Sequence, residues 1–211
     1  MSESSLEDRD RYFTISERLR AERKVLGSHF IATAFPIHSK DDAKAYLAEI
    51  QSEFFDATHH CYAYRLGIHG LNFRTADDGE PSGTAGKPIL FAMQKFGVSD
   101  VLVVVSRYFG GTKLGRGGLA RAYAGAAEDV LSQCERTAVY RTIPVKVYCT
   151  YEDVQTVLDC ATKYAIRTES EYHDAVHLRC FVRESDVELF MTTVHRATNA
   201  RAGCVLDADA A

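Results

Sequence analysis

The sequence predicts an α+β protein of two domains, and three observations carry that prediction. Apolar residues alternate between a period of two and a period near 3.6 along most of the chain, so strands and helices are interleaved. A chain of 211 residues is long for one average domain and comfortable for two small ones. After Arg136 the glycine-rich character ends and a second strand–helix series begins, which sets the expected domains at 1–136 and 137–211.

In chain order, residues 1–13 are polar and read as a frayed terminus. His29–Ile37 is a β-rich run. Ser39 and Asp42 have capping-box spacing ahead of Tyr46, Leu47, Ile50 and Phe54, which recur at helical intervals. His60–Leu66 alternates as a strand. Pro88 fits the first turn of the next helix, Ile89, Met93 and Phe96 give its apolar face, and Gly97 stops it. Val101–Val105 is five apolar residues in a row, the pattern of a strand covered on both faces. A glycine-rich loop, Gly110–Gly118, then precedes a helix with Leu119, Tyr123, Val130 and Leu131 on one stripe. In the second half, Ile143–Cys149 alternates. Thr150 with Asp153 is expected to cap a helix, Ile166–Tyr172 and Ala175–Val182 follow as strands, Ser185 with Glu188 is expected to cap another helix, and Cys204–Leu206 closes the set. The order β-α-β-β-α-β is the ferredoxin-like pattern.

Composition narrows the function classes. Hydrophobic residues make up 46% and charged residues 26%, an ordinary packed globule. A net charge of −4 argues against binding nucleic acid through bulk charge and leaves room for a local basic patch. No apolar run approaches the ~20 residues of a membrane span. The N-terminus carries acids and no apolar core, unlike a signal or transit peptide. Six cysteines without a CxxC pair read as reduced core residues of a cytoplasmic protein.

Two stretches carry the chemistry. Asp77–Pro88 places Asp77, Asp78 and Glu80 ahead of Ser82, Gly83, Thr84 and Gly86, with Lys87 at a helix start. Helix-start amides lack intrahelical partners and sit at the positive end of the dipole, so they receive anions, and glycines let an anion approach closely. The acids would suit a cation such as Mg²⁺ beside it. An acidic turn before a capped helix is the equally weighted alternative. Arg107–Tyr123 carries Arg107, Lys113, Arg116 and Arg121 with no acid, together with Tyr108, Gly110, Gly111 and Gly117. This suits phosphate, free or on a nucleotide or RNA backbone, with aromatic rings available for stacking. The competing structural reading is a staple in which the first stretch's acids pair with the second stretch's cations. Neither a P-loop nor a dinucleotide fingerprint is completed here, since Arg116-Gly117 follows Gly115 where Lys then Ser or Thr is needed. His59 and His60 open a strand without further ligands at metal spacing. No catalytic residue, metal site or cofactor is assigned.

These segments also carry a resemblance. Ser28–Ile31, Ala57–Arg65, Asp77–Leu90, Arg107–Gly115 and Gly117–Tyr123 resemble the IMPACT family, in particular its bacterial YigZ-like branch, across about residues 20–131. The resemblance implies an N-terminal domain shaped like the second domain of ribosomal protein S5, followed by a ferredoxin-like domain. It also implies a link to translation, because eukaryotic relatives are tied to translational control under amino-acid starvation through a partner that activates a stress kinase. Too few residues precede Ser28 for the extra N-terminal domain of those relatives, so that interaction is not expected to carry over. Arg116 stands where a small residue is expected and strengthens the anion site. The expected function is therefore a translation-linked regulatory protein that binds RNA, a ribosomal surface or a translation-associated protein, or a phosphate-type anion. The alternatives are a small-molecule enzyme holding phosphate at the same loops, as kinases of the homoserine and mevalonate type do on a similar fold, and a pure protein-interaction module.

Overall fold

The computed structural model describes residues 9–207, which form two compact units. The first spans Tyr12–Val139, and the second takes Tyr140 onward together with the described residues up to Arg11. The boundary expected at 136/137 lies inside a strand, Arg136–Tyr140.

In the first unit five strands form one antiparallel sheet in the order β2-β3-β6-β4-β5. These are β2 (Leu19–Val25), β3 (Ser28–Pro36), β4 (His59–Leu66), β5 (Asn72–Ala76) and β6 (Val101–Tyr108). The apolar run of β6 is explained by its central place. Val101, Val103 and Val105 enter a core with helices α2 (Gly86–Phe96) and α3 (Gly115–Leu131). Leu102 and Val104 enter a separate core with α1 (Lys40–Glu53). Both faces are covered although the strand is antiparallel. Ser39 and Asp42 make the expected capping box on α1, and Gly97 ends α2 with φ at 65°.

Three expectations along this unit need correction. The segment before residue 14 is structured where described. Arg11–Ile15 forms β1, paired with β7 (Arg136–Tyr140) in a two-stranded sheet. The fraying expected of residues 1–8 concerns positions outside the described residues. The sequence pattern leaves out strands β2 and β5, both edge strands: in β2 Arg23 interrupts the inward row Leu19, Ala21 and Val25, and β5 is largely exposed. Helix α3 starts at Gly115, so Gly115–Gly118 form its first turn rather than a loop.

The second unit is one antiparallel sheet in the order β11-β8-β10-β9 with two helices packed on its apolar side. Its elements are β8 (Thr142–Cys149), α4 (Val154–Tyr164), β9 (Ala165–Tyr172), β10 (Val176–Arg183), α5 (Val187–Ala197) and β11 (Gly203–Leu206). Strand β10 alternates strictly, with Val176, Leu178, Cys180 and Val182 inward. Both expected caps fail for tertiary reasons. The Asp153 carboxylate receives the Arg201 guanidinium instead of capping α4. Ser185 falls in a 3-10 turn, Glu184–Asp186, and its N–H is taken by buried Asp10. All six cysteines are unpaired thiols.

Candidate functional site

The two glycine-rich stretches meet in the first unit. Glu80 and Arg107 are both almost fully buried and form an ion pair, with Arg107 Nη1 on Glu80 Oε1. Tyr123 donates its hydroxyl to the same carboxylate at 2.8 Å, and Arg107 Nη2 donates to Ser28 Oγ at 3.1 Å. The guanidinium stands 5.4 Å from the Phe30 ring centroid and 5.5 Å from that of Phe109. Burial pushes the Tyr123 hydroxyl far up and the Cys61 thiol up to about 12, so neither ionises near neutral pH. This centre is an internal staple: its charges point at each other, not at solvent.

Asp77 explains the first stretch. Its carboxylate accepts the N–H of Gly83 at 2.8 Å, of Ala85 at 3.0 Å and of Gly86 at 2.9 Å. Burial alone would raise its pKa, but these three donations and nearby Lys87 outweigh that and hold it below the ordinary carboxylate range. The anion expected at the Gly83–Gly86 amides is thus supplied from within the chain. Asp78, with φ at 41°, accepts His60 N–H on its side chain and His59 Nδ1 on its carbonyl. Thr84 is buried and turns its hydroxyl back to Pro81 O.

Two glycines answer to backbone packing. A Cβ on Gly110 would fall 1.9 Å from the carbonyl carbon of Gly27, and one on Gly86 would fall 2.7 Å from Ala76 N. Gly83 and Gly111 instead need positive φ, 77° and 83°. Gly110→Ala is expected to cost about 3 kcal/mol, at the upper end of overpacking effects. Gly111→Ala, with nothing within 4 Å, should cost about 1 kcal/mol of left-handed strain. Thermal denaturation of the two variants checks this, and the reverse ranking would refute the packing role.

The second stretch differs at its helix start. Helix α3 has no side-chain cap. Arg116 Nη2 donates to Ser82 O at 2.9 Å, which ties the stretches together on an exposed surface. Arg121 passes over the first turn, its Nη1 3.5 Å from where a Gly117 Cβ would be. Lys87, Lys113 and Arg121 are exposed and, among the described residues, make no ion pair. Tyr108 is held by Asp56 through a 2.7 Å hydrogen bond. Sequence reasoning grouped Arg107 with these cations, but burial separates it from them. It placed Ser28 in a family-matching segment but not in the site, where its hydroxyl receives Arg107 and Gly110 N–H. The Leu26-Gly27 pair just before Ser28 is the signal that marks the hairpin bringing it there.

The family model described as the Impact N-terminal domain matches residues 26–131, which contain both stretches. An IMPACT family member from Haemophilus influenzae is 33% identical over 183 residues, covering 85% of this chain and 89% of that protein. The IMPACT family member YigZ of Escherichia coli is 42% identical over 110 residues, covering 50% and 53%. A crystal structure of a hypothetical protein superposes with a TM-score of 0.71 at 26% identity, covering 93% of this chain and 97% of the other. With the domain model over half its length and a bacterial member a third identical across most of both proteins, the chain belongs to the IMPACT family and groups with YigZ-like members.

Proposed function

We propose that the chain is a translation-linked binding protein that holds an anionic partner at the start of α3. The partner class is the phosphate backbone of RNA, a ribosomal surface or an acidic translation-associated protein. One contrast carries the reading. The start of α2 is already filled by the Asp77 carboxylate, whereas the start of α3 has no cap and gathers Lys113, Arg116 and Arg121. Uncapped amides with nearby cations favour an incoming anion through both hydrogen bonding and the helix dipole. The second unit's β-α-β-β-α-β order supports reading it as ferredoxin-like, beside an S5 domain 2-like first unit; both shapes are at home in translation. Six unpaired cysteines support a cytoplasmic setting, and no helix among the described residues is long and apolar enough to cross a membrane.

The enzymatic alternative needs Asp78, Ser82, Lys113 and Arg116 to converge on a small ligand. Asp78 is engaged otherwise, its carboxylate taken by His60 N–H and its carbonyl by His59 Nδ1. The binding reading is checked by co-sedimentation with ribosomes at rising salt. Association at low salt is expected, weakened by Lys113→Ala and by Arg116→Ala. If RNA supplies the anion, about three contacts, from Lys113, Arg116 and Arg121, give a log–log salt slope near −2, from the ~0.7 ions released per single-strand contact. Each substitution then lowers the slope by the share of one contact. No association at low salt would end this reading.

A further inference from the structure

Beside the α3 start lies a groove of about 250 Å³, floored by Val25, Leu26, Leu114 and Ala122 and edged by Arg121. Leu26 is doubly unfavourable where it stands. Leu26 and Gly27 form the two-residue loop between β2 and β3, and both have positive φ, 47° and 80°. Such a loop favours Asn-Gly, and a bulky residue there is strained. Leu26 also leaves 65% of its surface exposed. A strained, exposed aliphatic side chain on the wall of a groove fits a contact residue better than a packing residue.

The charges around it are one-sided. Arg121 on its edge and Lys113, next to Leu114, are exposed, and no acid lines the groove. Arg23, which also lines the groove, does not count toward this set, because its Nε and Nη2 both donate to Asp129 at 2.7 Å. Glu22, on the adjoining strand, is held by His29 at 2.9 Å. The floor is aliphatic and offers neither a ring for a base to stack on nor a side-chain amide or hydroxyl to read a base edge. An apolar floor under a cationic rim matches an aliphatic or phenyl side chain flanked by carboxylates.

We propose that this groove docks an acidic segment of a partner protein, with one apolar side chain seated between Leu26 and Leu114 and its carboxylates over Arg121 and the neighbouring Lys113. The proposal rests on the anionic-partner reading of the α3 start and selects a protein, not RNA, as that partner.

Random 12-residue peptides displayed on phage and selected on the full chain test it. The winners should carry a leucine, isoleucine or phenylalanine with at least two acids close by. Binding of a synthetic winner should fall at least tenfold in Leu26→Ser and in Arg121→Glu. It should fall equally in Leu26→Gly, a variant that adopts φ near 47° without strain. Lys95→Ala, a cation paired with Glu128, should leave it unchanged. No winners, winners without the acidic–apolar pattern, or full binding by Leu26→Ser would overturn the proposal. So would a uridine decamer that displaces the peptide and itself needs Leu26. Ribosome association that depends on Lys113 and Arg116 but ignores Leu26 would overturn the groove and leave the anion reading standing. A Leu26-dependent peptide with no ribosome association would do the opposite.

Discussion

Glu80→Ala is expected to destabilise the first unit by about 3–5 kcal/mol, because it leaves a buried guanidinium without its counter-ion. Arg107 is nearly inaccessible, and its remaining contacts are Ser28 Oγ and two ring faces. Its Nε is buried without a hydrogen-bond partner even in the intact protein, so the site has little slack for further loss. Arg107→Ala should cost a similar amount, since among the described residues Glu80 then keeps Tyr123 as its one close donor, with His59 Nε2 at 3.9 Å. The pair itself is a separate matter. Replacing both together, Glu80→Leu with Arg107→Met, should cost far less than the sum of the single losses, because no unpaired charge remains. Urea denaturation of the wild type, both single variants and the double variant at neutral pH gives the coupling. Additive losses, or single losses below about 1 kcal/mol, would show that the staple is not an electrostatic unit.

That staple marks what the sequence could and could not convey. Opposite charges in the two stretches made pairing visible as an alternative, but not which charges pair. Arg107 lies next to Ser106 on a strand whose preceding residues are apolar, and only the sheet order shows that it points inward while Lys113 does not. Local signals survived where nothing distant competed. Ser39 caps α1 with Asp42, and Gly97 ends α2. They failed where a remote partner won. Thr150 and Asp153 have capping spacing, yet Arg201 takes the Asp153 carboxylate from 48 residues away. Asp10 looked like part of a polar tail and is buried against Ser185 N–H, 175 residues on. The glycines were the hardest to read. A glycine that admits a ligand and one that admits the chain's own backbone look alike, and Gly86 and Gly110 are of the second kind. The groove at Leu26 was invisible for the same reason, because its walls come from a hairpin and a helix about ninety positions apart.

Asp77→Ala is expected to destabilise the first unit by about 2–4 kcal/mol and, unlike other losses of this size, to be reversed by added anions. The carboxylate receives three backbone donors at once. Two of them belong to the N-cap residue and first residue of α2, and Pro88, two residues further on, has no N–H to satisfy. Losing a capping side chain costs about 0.5–2 kcal/mol, and each donor left without a partner adds to that. Alanine vacates a space lined by amides at the positive end of a helix, which small carboxylates should fill. An anion at ten times its dissociation constant would restore about 1.4 kcal/mol. The melting temperature of Asp77→Ala should therefore rise with acetate or formate beyond its response to sodium chloride at equal ionic strength. The wild type should show no such excess. Asp77→Asn should be destabilised without rescue, because its side chain fills the space yet offers only one acceptor atom. The pH dependence has a fixed sign. The folded carboxyl titrates below its unfolded value of about 3.9, so its contribution is complete above that pH. It then fades as pH falls toward the lower folded value. The gap in stability between wild type and Asp77→Ala should accordingly be constant from pH 5 to 7 and shrink below pH 4. A gap that does not narrow at all as pH falls below 4, or an acetate response shared by the wild type, would mean that the amides of Gly83, Ala85 and Gly86 do not depend on this carboxylate.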